Sequence, residues 1–287
     1  MTEIIISMEA TCDLPEEVVR DYGFRVIGMN YYVDGVEYST ATDTVVSSGI
    51  YEKMKNDART STTQINVTLY EEHFASLVRE NKPVFHIAFS GGLSETYKQA
   101  CVAAEKFNKD VKRVFVIDSR CGCSGQGLLA IHAAEYAKKA KNIEEVIEYA
   151  EKLKYRITHI YTVDNLKYLS RGGRLSSVSA FLGNVLRIKP VMNVDERGKL
   201  ALYKKVLSRQ KAIRALADEF NSTYDPSCKW CFIGHALCAE DAEILGSLIR
   251  NETGIDPIIA DLGPVVGSHS GPGTLAMFFL SLKSRKK

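Results

Sequence analysis

The sequence predicts an α/β protein made of two α/β domains. The N-terminal one has a mainly parallel sheet with helices on both faces, and the C-terminal one a mixed, more antiparallel sheet with helices. Three observations predict this. In the first half, short continuous apolar runs alternate with helix-period segments, as in a parallel sheet buried on both faces. In the second half, apolar and polar residues alternate, and two such runs are joined by a short turn, which is a hairpin signal. The length of 287 residues is ample for one large core and more typical of two domains. The pattern changes near residue 156, so the domains are expected at 1–156 and 157–287.

In order along the chain, Glu3 to Ser7 reads as a buried strand. Asp13-Leu14-Pro15-Glu16-Glu17 reads as a helix start, with Asp13 as the cap and acids in the first turn. Arg25 to Met29 and Tyr31 to Val33 read as strands, and Asp34-Gly35 as a turn. Helix-period segments near 68–80, 94–108, 124–140 and 143–155 surround two more buried strands, Val84 to Phe89 and Arg113 to Asp118. Thr60 to Gln64 reads as a polar loop between helical patterns. After 156, Ile157 to Val163 and Val191 to Asp195 alternate, and Glu196 to Lys199 turns the chain into Leu200 to Tyr203. Helices near 208–221 and 240–253 flank a strand from Cys231 to Ala236, and Phe278 to Leu282 closes the chain. The apolar stretch Val178 to Ile188 is expected to be buried or to line something apolar. Gly263 to Gly273 holds two prolines and several glycines around His269, and reads as a shaped loop.

Composition excludes several function classes. A net charge of +2, from 37 basic and 35 acidic residues, gives no argument for nucleic acid. No apolar run is long enough for a transmembrane helix, and the N-terminus lacks the pattern of a signal peptide, so a cytoplasmic protein is expected. Seven cysteines, an odd number, favour free thiols over a disulfide framework. Cys121/Cys123 and Cys228/Cys231 are too far apart in sequence for a zinc-ribbon spacing, and no metal is expected. Neither GxGxxG after a strand nor GxxxxGK[ST] occurs, so no nucleotide cofactor is expected.

Chemistry is sought where strands run into loops. Ser90-Gly91-Gly92-Leu93-Ser94 follows a strand and precedes a helix. Ser94 reads as an N-cap, and the glycine turn as a place where backbone N–H groups could meet an anion. Arg171-Gly172-Gly173-Arg174 offers two arginines on a turn, suited to phosphate or carboxylate or to solvent. His86, His159 and His235 sit in apolar strands and read as core residues. His269 stands out because its neighbours are turn-formers. A serine hydrolase with Ser90 or Ser94 as nucleophile, His269 as base and Asp118 as its orienter is one alternative, although GxSxG is missing. A regulatory sensor of another small carboxylate is a second.

Together these segments resemble the DegV family of bacterial fatty-acid-binding proteins, in order and over nearly the whole chain. Asp13-Leu14-Pro15 matches the end of the family's TDS…DLP motif. Thr62-Thr63-Gln64 resembles TSQ, and Ser90 to Tyr97 resembles SSGLSGTY. Asp118-Ser119, Arg171 to Ser176 (RGGRIS), Ile188-Lys189-Pro190 and Gly263 to Gly273 (GPVIGTHTGPG) follow.

The resemblance implies a long-chain fatty acid buried in the protein, its carboxylate held by Thr62, Ser90 and His269, with Thr63, Gly91 and Ser268 in the same candidate set. It implies a separate fatty acid kinase as partner, with Arg171 and Arg174 as docking residues, and a carrier with no catalysis or cofactor of its own. The chain departs from the family at Met8-Glu9-Ala10, at Thr63 and at Gly91. A Gly91 backbone N–H is expected to stand in for a lost hydroxyl, a His269 imidazolium to balance an acyl phosphate, and Glu9 to modulate that charge if it points inward.

Overall fold

The computed structural model describes residues 3–41, 47–175 and 188–285. The first half runs β1 (Ile5–Glu9), a 3₁₀ turn (Ala10–Cys12), α1 (Glu16–Tyr22), β2 (Arg25–Ile27), β3 (Asn30–Val33), β4 (Val36–Ser39), α2 (Ser47–Lys55), β5 (Thr60–Thr62) and α3 (Val67–Val78). It continues through β6 (Val84–Ala88), α4 (Thr96–Glu105), β7 (Val114–Asp118), α5 (Ser124–Ala137) and α6 (Ile143–Leu153). The second half runs β8 (Ile157–Thr162), α7 (Lys167–Arg171), β9 (Lys189–Val194), β10 (Leu200–Val206), α8 (Arg209–Thr223), β11 (Cys231–His235), α9 (Ala239–Thr253), β12 (Ile258–Asp261), α10 (Pro264–Ser270) and β13 (Leu275–Leu280).

The first sheet is parallel, in the order β2-β1-β6-β7. Its strands are apolar on both faces because both are covered. Ile5, Val84 and Val114 pack on Tyr70 and Phe74 of α3 and Ala100 of α4. Their neighbours Ile6, Phe85 and Phe115 point the other way, into the core that holds α5. Beside it, β4-β3-β5 form a small antiparallel sheet, and Asp34-Gly35 make the β3–β4 turn with both φ angles positive, at 50° and 82°.

The second sheet is six-stranded and mixed, in the order β10-β9-β8-β13-β11-β12. One face packs Ile160, Ile233 and Met277 on α8 and α9. The other turns Tyr161, Met192 and Phe278 toward the first sheet. Helix α5 lies between the two sheets. It is buried almost all round, and its small residues permit this: a Cβ on Gly125 would fall 2.2 Å from His159 Nε2.

Several expectations change. Asp13 is no helix cap: it ends the 3₁₀ turn in a left-handed conformation (φ 45°), and α1 starts after Pro15 with no side-chain cap. Thr60 to Gln64 is not all loop, because β5 pairs antiparallel with β3. Helix α2 (Ser47–Lys55) is the helical pattern expected before Thr60, and strand β12 was not anticipated. Gly263 to Gly273 is not a loop throughout, since Pro264–Ser270 is helical. Proline sits at the start of α10, where its missing N–H has no intrahelical partner to lose, and Gly271 ends it at φ 79°. Most of Val178 to Ile188, and Ser176, lie outside the described residues. Among those described, no helix is long and apolar enough to cross a membrane.

Candidate functional site

Between the two sheets lies a narrow, mainly apolar cavity of about 120 Å³. Its walls come from both halves of the chain. Met29, Phe89 and Leu93 face Val194, Leu200 and Phe278, and Leu262 and Val265 add the approach to α10. Such a lining excludes charge and favours hydrocarbon.

At one end the cavity meets a group of polar side chains. Thr62, at the end of β5, has its hydroxyl 2.8 Å from His269 Nε2, in the last turn of α10. Packing of α10 on β5 brings them together, and Thr60 Oγ1 donates to the Ser268 carbonyl at 2.8 Å. Gly172 presses on the other side of the imidazole, where a Cβ would lie 2.3 Å from His269 Nδ1. Ser94 completes the polar end, its hydroxyl 2.7 Å from that of Thr96.

Beyond this neck a second, more polar space of about 700 Å³ opens to solvent. Thr62, Leu93, Ser94 and Arg174 line both spaces, and Thr63, Gly91 and Lys199 line the outer one. Arg174 is half-buried, and its guanidinium donates to the main-chain oxygens of Leu93 and Gly172. A guanidinium has five N–H groups and stays charged in proteins, so it can still meet an anion.

Burial, and after it the nearby Arg174 charge, push the His269 pKa down to about 4. The imidazole is therefore neutral at neutral pH, and the expected imidazolium is corrected: the positive charge at the neck belongs to Arg174.

Other expected residues stand elsewhere. The Ser90 hydroxyl is fully buried, donates to the Gly198 carbonyl at 2.7 Å, and lines neither space. The Gly91 N–H donates to Asp118 Oδ1 at 3.0 Å and the Gly92 N–H to Ser90 Oγ at 3.2 Å. The glycine turn thus bonds within the protein, and the expected free N–H of Gly91 is not available. Ser268 donates to the Pro264 carbonyl inside α10. Arg171 is on the surface, 3.3 Å from Asp57, and lines neither space.

Glu9 faces the core rather than the cavity. It accepts from Tyr70 Oη at 2.5 Å, the Phe89 N–H at 2.9 Å and Gln126 Nε2 at 2.6 Å, with His86 Nε2 at 3.2 Å. Burial opposes its charge, but His86 and these hydrogen bonds prevail and lower its pKa. The hydrolase constellation is not assembled: the candidate nucleophiles Ser90 and Ser94 bond to the Gly198 carbonyl and the Thr96 hydroxyl, His269 to Thr62, and Asp118 to the Gly91 N–H.

Reading by residue type missed Ser94 as a wall residue, because a serine at a helix start is usually a cap. Arg174 was singled out with Arg171 as a pair suited to an anion or to docking, but which of the two faces the neck could not be read from the sequence of a turn.

The family model described as "Uncharacterised protein, DegV family" matches residues 3–282. A DegV domain-containing protein of Clostridium perfringens is 35% identical over 98% of this chain and 98% of its own length. Among solved structures, a fatty-acid-binding DegV family protein from Thermus thermophilus superposes with a TM-score of 0.88, at 25% identity, covering 98% of this chain and all of its own. DegV of Bacillus subtilis, a fatty acid binding protein, gives a TM-score of 0.83 at 26% identity over 98% of this chain and all of its own.

Proposed function

The chain belongs to the DegV family, and from that premise we propose that it binds a long-chain fatty acid and presents the carboxylate to a separate fatty acid kinase. The observation that carries this reading is the union of an apolar cavity with one polar neck. The DegV proteins of Thermus thermophilus and Bacillus subtilis, whose fold it shares, bind fatty acids.

Burying an acyl chain contributes about 0.8 kcal/mol per methylene, so about 14 methylenes give roughly 11 kcal/mol before ordering costs are subtracted. A carboxylate entering the neck must exchange water for other donors. Thr62, Ser94 and Arg174 supply them. In the His269 tautomer protonated at Nε2, the imidazole donates to Thr62 Oγ1 and frees the threonine hydrogen for the carboxylate. Each hydrogen bond to the charged group is worth about 1.5–3 kcal/mol.

The two halves, residues 1–156 and 157–287, act as the walls of the site. The outer space leaves the head group within reach of a phosphoryl donor held by the kinase, and the protein does no chemistry alone. Arg171, exposed on the surface in the loop that also carries Arg174, is the docking residue. Organic extraction of the purified protein followed by mass spectrometry tests the binding step: long-chain acids are expected at near one per chain. A chain that yields none and takes up none from solution is not a fatty-acid carrier. Arg171→Glu is expected to spare fatty-acid binding and to slow acyl phosphate formation by the kinase; unimpaired phosphorylation removes the docking role.

A further inference from the structure

The polar groups in the cavity wall fall into two sets. Most are paired with protein. Thr11 donates to Gln126 Oε1 at 3.0 Å, Thr274 to the Gly271 carbonyl at 2.7 Å, and His159 Nε2 accepts the Gly122 N–H at 3.1 Å. Tyr161 and Ser270 differ. Both line the cavity and are more than nine-tenths buried, at 8% and 6% exposure. Neither hydroxyl has a hydrogen-bond partner among the described residues.

A buried hydroxyl left unpaired costs about 1–3 kcal/mol. Phenylalanine at 161 and alanine at 270 would fill nearly the same space without that cost. Tyr161 lies in β8 opposite Ala276 of β13, a small neighbour on the same face of the sheet. Burial raises the Tyr161 pKa far above the usual phenol range, so it keeps its proton and can donate. Ser270 can both donate and accept.

We propose that Tyr161 and Ser270 form a polar subsite within the acyl cavity for an oxygen atom on the chain itself. The ligand class is then hydroxylated or oxo long-chain fatty acids, in addition to plain ones. The inference rests on the fatty-acid reading and adds a second recognition point apart from the carboxylate. A site built to hydrogen-bond a ligand oxygen discriminates through that bond, because an uncompensated hydroxyl in hydrocarbon surroundings is penalised.

The test is calorimetric titration of the full chain with stearate, 3-, 10- and 12-hydroxystearate and 10-oxostearate, repeated on Tyr161→Phe and Ser270→Ala. At least one oxygenated acid is expected to bind the unaltered protein as well as stearate or better. That acid is expected to lose about tenfold in affinity in Tyr161→Phe or Ser270→Ala, the loss of one hydrogen bond, while stearate is unchanged. Stearate affinity reports that each variant is folded. If stearate binds and the oxygenated-to-plain ratio is the same in all three proteins, the subsite is overturned and the fatty-acid reading stands. If no acid binds, the fatty-acid reading falls and the subsite with it.

Discussion

Ser90 and Ser94 share one turn and face different surroundings. Ser90 ties the glycine turn to the Gly198 carbonyl, and Ser94 looks into the neck. Ser94→Ala is expected to weaken fatty-acid binding about tenfold, through loss of one hydrogen bond to a charged group. Ser90→Ala is expected to leave binding within threefold and to lower unfolding stability by about 1–3 kcal/mol, since it orphans a buried carbonyl; titration and urea unfolding separate the two. His269 carries a pH signature. An unfolded histidine titrates near 6.5 and the folded one near 4, so the folded state binds fewer protons between those values. Acidification from 6.5 to 4 therefore destabilises the protein, and stability is restored as pH rises. Removing the group in His269→Asn should make the stability–pH profile shallower by up to about 1.4 kcal/mol per pH unit in that window. Identical slopes would show that the imidazole is not held neutral by burial. Individual roles were only partly legible in sequence. The motif resemblance names Thr62 and His269, which the structure brings within hydrogen-bond distance. It cannot say which serine of a five-residue turn faces inward, because that depends on a carbonyl contributed 108 residues later in the chain.

Among elements, the β9–β10 hairpin fastens the neck. Its turn at 195–199 receives the Ser90 hydroxyl, and Arg120 Nη1 donates to the Glu196 carbonyl at 2.8 Å. Gly198 has φ 74°, and a Cβ there would come 2.1 Å from Ser90 Oγ. Gly198→Ala is expected to cost at least about 1 kcal/mol of stability through backbone strain and crowding, and to speed fatty-acid release measured by stopped-flow displacement. Unchanged stability and release would show that the turn does not fasten the neck. The long strands and helices were readable because their apolar periods are strong. Helix α10 was not, since Gly263, Pro264 and Gly267 read as turn residues. Its stability comes from outside, from Tyr51 Oη donating to the Leu262 carbonyl at 2.7 Å and from packing on α2 and β5. Strand β5, three residues of Thr and Ser, exists because β3 offers it an edge.

For the molecule as a whole, the cavity requires both halves, so ligand binding and folding are coupled. A ligand that binds only the folded state, at 100 times its dissociation constant, adds about 2.7 kcal/mol of stability. The two-sheet plan was legible from the change of pattern near residue 156. The space between the sheets was not, because it is set by how α5, with its buried small residues, spaces them.

The most direct measurement of the central claim is a calorimetric comparison of palmitate with its methyl ester. The account predicts that palmitate binds with a negative heat-capacity change from apolar burial. It predicts that the ester, which keeps the chain but loses the charge, binds at least tenfold more weakly. Equal binding of acid and ester, or of neither, would contradict a carboxylate held at Thr62, Ser94 and Arg174.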